Sequence, residues 1–334
     1  MRGPDDPSRP AGSLGSLGEF GLITAMASVL PPVPLATVGI GDDSAVLATP
    51  AGNVVAAVDF LLEGRHFRRD WSAAFDVGVK AAARSLADIA AMGAESTALL
   101  VALALPGSLP AGWALDFAAG LAAECDRAGA GVVGGDTAEA GSVIISVTAL
   151  GSLPHGVAAV RRSGARPGDV VAVAGPLGHS AAGLACLAAG LRDHPALVSA
   201  HLRPRPPYAA GLEAARCGAT AMIDTSDGLL ADLGHVASAS GVAIDIATAS
   251  LEAGDQLAAA ALEISSITGS PQVADDLALS WVLTGGEDHV LAATFPASAR
   301  PPQGWRVIGA VRAGAGITVD GAPPAGPGGW EHFR

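Results

Sequence analysis

The chain has 334 residues, half of them apolar and 15% charged, which excludes a largely disordered polypeptide. Nineteen basic residues against 32 acidic ones give a formal net charge of −13. That balance argues against a nucleic-acid or anionic-membrane surface and suits cations, and the one lysine, Lys80, follows no glycine-rich phosphate loop, which rules out a P-loop nucleotide site.

A leader over residues 1–18, rich in Asp, Pro, Gly and Ser, lacks the apolar segment of a signal peptide. The spacing of Phe20, Ile23, Met26 and Ala27 predicts a helix over 19–29, stopped by Pro31, Pro32 and Pro34. Two short apolar runs, 45–47 and 54–60, flank Pro50-Ala51-Gly52-Asn53 in a hairpin-like pattern. The proline-free stretch 71–92 predicts a helix capped by Gly93. A strand over 99–105, a helix over 113–128 and strands over 131–133 and 143–150 complete an N-terminal α+β domain, residues 19–155. Pro154, His155, Gly156 and Gly164 interrupt the periodicity and mark the boundary. Residues 156–334 read as a C-terminal α/β domain. Its strands are 170–174, 221–223 and 242–246 and its helices 180–189, 208–216 and 229–240, with apolar runs at 281–283 and 290–295 completing the pattern.

The longest uncharged run, 170–191, is broken by Gly175, Pro176 and Gly178 and reads as strand, turn and helix, not a membrane span. Cys125, Cys186 and Cys217 lack metal-ligand spacing and read as reduced core thiols of a cytoplasmic protein. Met26, Met92 and Met222 read as core residues as well.

The informative pattern is Asp beside Gly at the ends of short apolar runs. It occurs at Gly41-Asp42-Asp43, at Asp59 followed by Glu63-Gly64-Arg65-His66-Phe67, at Gly134-Gly135-Asp136-Thr137, at Asp224-Thr225-Ser226-Asp227-Gly228 and at Gly285-Gly286-Glu287-Asp288. Glycine lets backbone approach a ligand, and backbone N–H groups in such turns can cradle anions. Converging carboxylates repel by about 4 kcal/mol per pair at ~4 Å unless a cation stands between them. Hard Mg2+, held by a few carboxylates and substrate phosphates, removes that penalty. The simplest chemical reading is a Mg-nucleotide site assembled from separated turns. Any one of these turns alone is better explained as ordinary turn chemistry. Lys80, Arg84 and Asp88 fall at i, i+4 and i+8, which from spacing alone reads as a solvated helix face. His66 fits a structural role as readily as a phosphate donor, and His179, His235 and His289 show no paired ligand spacing.

Taken together the motifs resemble the thiamine-monophosphate kinase family, within the superfamily of aminoimidazole ribonucleotide synthetase and selenophosphate synthetase. The resemblance runs from Gly18-Glu19-Phe20 to Gly329-Trp330-Glu331-His332-Phe333 and includes Leu86-Ala87-Asp88-Ile89-Ala90-Ala91-Met92-Gly93 and Arg162-Ser163-Gly164-Ala165. It implies an aminoimidazole ribonucleotide synthetase-like fold of two domains, α+β and α/β, with the N-terminal sheet pairing across a homodimer and the C-terminal domain flanking the cleft. It implies ATP-dependent phosphorylation of thiamine monophosphate to thiamine diphosphate, with several Mg2+ ions and no nucleic acid or membrane partner. By position, Asp43, Asp59, Asp88, Asp136, Asp224 and Asp227 resemble metal ligands. Gly135, Asp136, Arg162 and Ser226 resemble ATP contacts, and His66, Glu287 and Trp330 contacts to the thiamine phosphate. Asp43, Asp59, Asp136 and Arg162 are the residues on which catalysis is expected to fall. The chain departs from many relatives in having Ala57 and Val58, without hydroxyls, before Asp59, and Arg84-Ser85 before Leu86-Ala87-Asp88. A synthetase of the same superfamily would lack the terminal Gly-Trp-Glu-His-Phe. A selenophosphate role would call for a reactive N-terminal Cys, whereas the first here is Cys125. A silent binding protein is the rival of a different class.

Overall fold

The computed structural model describes residues 24–34, 36–38, 46–47, 54–251, 253–269, 274–324, 326 and 328–330. The chain divides into two compact units, Met1–Ser85 with Ser96–Ser152, and Leu86–Glu95 with Leu153–Arg334.

In the first unit β1 (Ala36–Val38) and β2 (Val46–Leu47) form an antiparallel pair. β3 (Val54–Leu62), α1 (Ala74–Ala91), β4 (Glu95–Leu105), α2 (Ala111–Ala128), β5 (Gly131–Glu139) and β6 (Ile144–Ser152) follow. The four long strands make one sheet in the order β3-β6-β4-β5. β3 runs antiparallel to β6 with Asp59 opposite Val147, and β5 runs parallel to β4 with Asp136 opposite Ala102. The hairpin-like pattern is therefore corrected: β2 pairs with β1, and β3 is drawn instead into a nine-residue ladder with β6. Alternate residues of β6, Ile145, Val147 and Ala149, are buried, and Ser85 of α1 reaches the Val147 carbonyl at 3.4 Å, so α1 lies on that face. α1 and α2 meet backbone to backbone. A Cβ on Gly78 would lie 2.1 Å from the Phe117 carbonyl oxygen, and one on Gly120 2.1 Å from that of Phe75.

The solvated-face reading of α1 is corrected too. Lys80 and Arg84 are buried at 2% and 9% exposure, and Asp88 is half-buried. Lys80 Nζ donates to the His66 carbonyl at 3.1 Å, an internal partner. Gly93, at φ 73°, ends the helix as its cap.

The second unit comprises β7 (Val170–Ala174), α3 (His179–Ala188), α4 (Pro195–Leu202), α5 (Tyr208–Arg216), β8 (Ala221–Asp224), α6 (Leu229–Ser240), β9 (Ala243–Ile246), α7 (Gly254–Ile267), α8 (Ala274–Thr284), β10 (Leu291–Phe295), β11 (Trp305–Arg312) and β12 (Gly316–Val319). Its six-stranded sheet has the order β12-β9-β11-β7-β10-β8. Neighbours are antiparallel except β12 with β9. Period-two alternation on β7 splits the core. Val171 and Val173 pack with Leu229, Leu233 and Leu257 on one side, and Ala172 with Met222, Phe295, Ala90 and Ala214 on the other. Helices thus cover both faces. The apolar run 281–283 lies in the last turn of α8. Cys125 and Cys186 are buried, and burial pushes the Cys125 thiol up to about 12, with Glu124 adding to it; Cys217 is exposed, which corrects its reading as a core thiol. Among the described residues no helix is long and apolar enough to cross a membrane.

Candidate functional site

In the second unit β8 ends at Asp224, and residues 225–228 turn into α6. Three successive carbonyls of that turn accept from distant segments. Thr225 O accepts from the His289 N–H at 2.9 Å, Ser226 O from the Glu287 N–H at 2.8 Å, and Asp227 O from the Trp330 N–H at 2.9 Å. Asp224, Ser226, Asp227, Glu287 and Trp330, each singled out by the sequence, are brought together on this one turn. The close approach requires glycine. A Cβ on Gly286 would lie 2.7 Å from Ser226 O, and one on Gly329 would lie 2.2 Å from Asp227 O. Gly228, at φ 123°, has the Thr284 carbonyl oxygen 2.6 Å from its Cβ position.

Acidic groups crowd the same turn. Asp224 is buried, and its Oδ2 accepts from His289 Nδ1 at 3.0 Å. Asp232, one turn into α6, accepts through Oδ2 from the N–H groups of Asp227 and Gly228 at 3.1 and 3.0 Å. Burial, then the charges of Asp224 and Asp227, push its carboxyl up to about 8. Ligand atoms of Asp227, Asp232 and His235 lie within 4.8 Å of one another. The two carboxyls of this group offer the oxygen donors that a hard cation takes once Asp232 has lost its proton, whereas the His235 nitrogen is a donor that Mg2+ does not favour. Asp288 is buried and accepts from the N–H groups of Gly178 and Ser180, which ties the 285–289 loop to the start of α3. The sequence motif at 285–288 includes Asp288 without giving it a role, His289 is set aside there for want of paired ligand spacing, and Asp232 is not singled out at all. Asp232 does carry a local signal, a carboxylate in the first turn of a helix, placed to accept from N–H groups at the helix entrance.

In the first unit Asp59 is half-buried, and its Oδ2 accepts from Ser85 Oγ at 3.0 Å. The hydroxyl missing at Ala57 and Val58 is thus matched by one reaching Asp59 from α1. Asp136 is exposed on β5, and its Oδ1 accepts from the Thr137 N–H at 2.8 Å. Asp59 and Asp136 stand on the two edge strands, with β6 and β4 between them. A Cβ on Gly135 would lie 1.8 Å from the Val101 carbonyl oxygen, so β5 needs glycine there. The His66 ring accepts at Nδ1 from the Leu62 N–H at 3.0 Å, so the neutral ring carries its proton on Nε2. Glu63 fixes the base of that loop by accepting from the Val143 N–H at 3.0 Å and pairing with Arg69.

Asp88 belongs to the second unit with the last turns of α1. Arg162 is an exposed residue of the same unit whose carbonyl accepts from Ser240 Oγ at 3.0 Å. Asp43, with the whole 39–43 motif, lies outside the described residues.

The sequence matches the AIR synthase related protein N-terminal domain over residues 41–153 and the corresponding C-terminal domain over 166–271. It is 47% identical over 297 residues to the thiamine-monophosphate kinase of Mycobacterium tuberculosis strain H37Rv, covering 88% of this chain and 85% of the relative. To the Corynebacterium glutamicum thiamine-monophosphate kinase it is 39% identical over 303 residues, 88% of each. The crystal structure of thiamine-monophosphate kinase from Stenotrophomonas maltophilia K279a superposes with a TM-score of 0.77 at 33% identity, covering 95% of this chain and 100% of that one. AaThiL complexed with AMPPCP and TMP superposes with a TM-score of 0.76 at 33% identity, covering 96% and 99%.

Proposed function

The chain belongs to the thiamine-monophosphate kinase family, and we propose that it transfers the γ-phosphoryl group of ATP to thiamine monophosphate, giving thiamine diphosphate and ADP. The observation that carries this reading is the convergence of Glu287, Trp330, Ser226 and two aspartates on one turn. The bond from the γ-phosphorus to the ADP oxygen breaks as a bond to a terminal phosphate oxygen of the substrate forms, and ADP leaves with the electron pair. The acceptor oxygen is already anionic, so no strong general base is needed, and the protein's task is positioning and charge neutralisation.

The residue roles proposed here are those that the family resemblance implies by position. Asp224 and Asp227 in the second unit, Asp59 and Asp136 in the first, and Asp43 and Asp88 with them, are the carboxylates proposed to hold Mg2+. Bound there, Mg2+ supplies the positive charge that a P-loop lysine supplies elsewhere. Arg162, Gly135, Asp136 and Ser226 are the proposed ATP contacts. His66, with Nε2–H as donor, meets the substrate phosphate. Glu287 faces the cationic thiamine, and the Trp330 indole stacks on one of its rings.

A homodimer and a cytoplasmic location belong to the same proposal. One face of β3 exposes Val54, Ala56, Val58 and Phe60 in a row, an apolar strip that a second copy of the sheet would cover. Thiols left unpaired and ATP as donor both fit the cytoplasm. With thiamine monophosphate, ATP and Mg2+, the protein is expected to form thiamine diphosphate and ADP in equal amounts by mass spectrometry, and EDTA is expected to stop the reaction. ADP released without thiamine diphosphate would point to another phosphate acceptor. ATP binding with no turnover would point to a binding role.

A further inference from the structure

We propose that His289 is a positioning residue that holds the Asp224 carboxylate in the orientation in which it meets a divalent cation. The inference deepens the Mg2+-dependent reading above and rests on it. His289 Nδ1 donates to Asp224 Oδ2 at 3.0 Å, and both side chains are almost entirely buried, at 2% and 4% exposure. Away from water a hydrogen bond to a carboxylate is strong and directional. It commits Oδ2 and leaves Oδ1 as the oxygen to offer a cation.

The backbone fixes the pair. The His289 N–H donates to Thr225 O at 2.9 Å, and the Thr225 N–H donates to Val290 O at 2.8 Å, so the two segments are laced together beside the contact. Packing alone gives no reason for histidine here. His289 sits at φ 52°, a left-handed conformation that a β-carbon disfavours, and among the described residues its buried Nε2 has no hydrogen-bond partner. Glycine would relieve the first cost and an apolar ring the second. Only a side chain with a donor at the Nδ1 position keeps the bond to Asp224. A donor behind a ligating carboxylate fixes its rotamer in the same way as groups behind metal-bound histidines do.

The test titrates Mn2+ into the purified full chain and reads free Mn2+ by electron paramagnetic resonance, with thermal unfolding in the absence of metal measured alongside. Wild type is compared with His289→Asn, His289→Gln and His289→Leu. Asparagine tolerates the left-handed backbone and presents its amide near the place of Nδ1; glutamine presents its amide near the place of Nε2. The Gln and Leu variants are expected to lose about 10–100-fold in affinity for Mn2+ at one site. Their KM for Mg2+ rises in parallel while KM for thiamine monophosphate holds, and Asn restores both. Wild-type affinity in folded Gln or Leu variants, or equal losses in Asn and Gln, would overturn the proposal. If the Leu variant does not fold, the Asn–Gln pair decides it. A wild type that binds no Mn2+ overturns it too. Failure of the kinase reading shows separately, as a wild type that binds Mn2+ and forms no thiamine diphosphate.

Discussion

Asp288 is a buried carboxyl whose two oxygens accept from the N–H groups of Gly178 and Ser180. Burial outweighs those two donors and the nearby His289, and with the Glu287 charge pushes the group from the usual carboxylate range up to about 7. The folded chain therefore holds this proton more tightly than the unfolded one. The stability that Asp288 contributes is fully present below about pH 4, falls as pH rises toward about 7, and is level above that. Asp288→Asn removes the titration. It also leaves one of the two N–H groups poorly paired, at a cost of about 1–3 kcal/mol. The expected outcome is that the wild type's advantage in Tm over Asp288→Asn narrows steadily between pH 4 and pH 7. An advantage independent of pH would mean that Asp288 titrates as an ordinary carboxyl.

At the scale of elements, α1 and α2 are held at backbone distance by Gly78 and Gly120. Gly120→Ala adds a methyl group 2.1 Å from the Phe75 carbonyl oxygen, so the helices must separate. The loss of packing, about 1–3 kcal/mol, exceeds the ~1 kcal/mol that alanine gains in helix propensity. Urea unfolding should show a lowered midpoint for Gly120→Ala. Gly112→Ala, on the same helix with nothing within 4 Å of its Cβ, should leave the midpoint unchanged or raise it. Both helices were legible in the sequence, α1 from its proline-free run closed by Gly93. β11 and β12 were not, because Arg306 and Arg312 break the apolar run of β11, Gly309 interrupts it, and β12 is four residues long. α4, eight residues opened by Pro195, is too short for its periodicity to register. The aspartate turns of the site were legible one by one, since their chemistry is local. The hydrogen bonds that gather residues 225–227 with 287, 289 and 330 were not, since chain order says nothing of which loops meet. The same holds for β7 and β8, which both pair with β10 from far downstream.

For the whole molecule, the question is what covers β3. Its other face turns Leu61 into the core and Asp59 toward Ser85, whereas Val54, Val58 and Phe60 remain 54%, 62% and 56% exposed. An edge strand with an apolar outer face invites association, and a second copy satisfies it without new chemistry. Val58→Lys and Phe60→Glu place charge in the centre of that face at positions that are solvent-accessible in the single chain, so each monomer should still fold. Analytical ultracentrifugation is expected to find a dimer for the wild type and a monomer for the double variant, with Tm independent of protein concentration only in the variant. Because β3 also carries Asp59, separating the copies should lower turnover as well as mass. A wild-type monomer with full activity would end the dimer proposal and leave the apolar face of β3 to another partner.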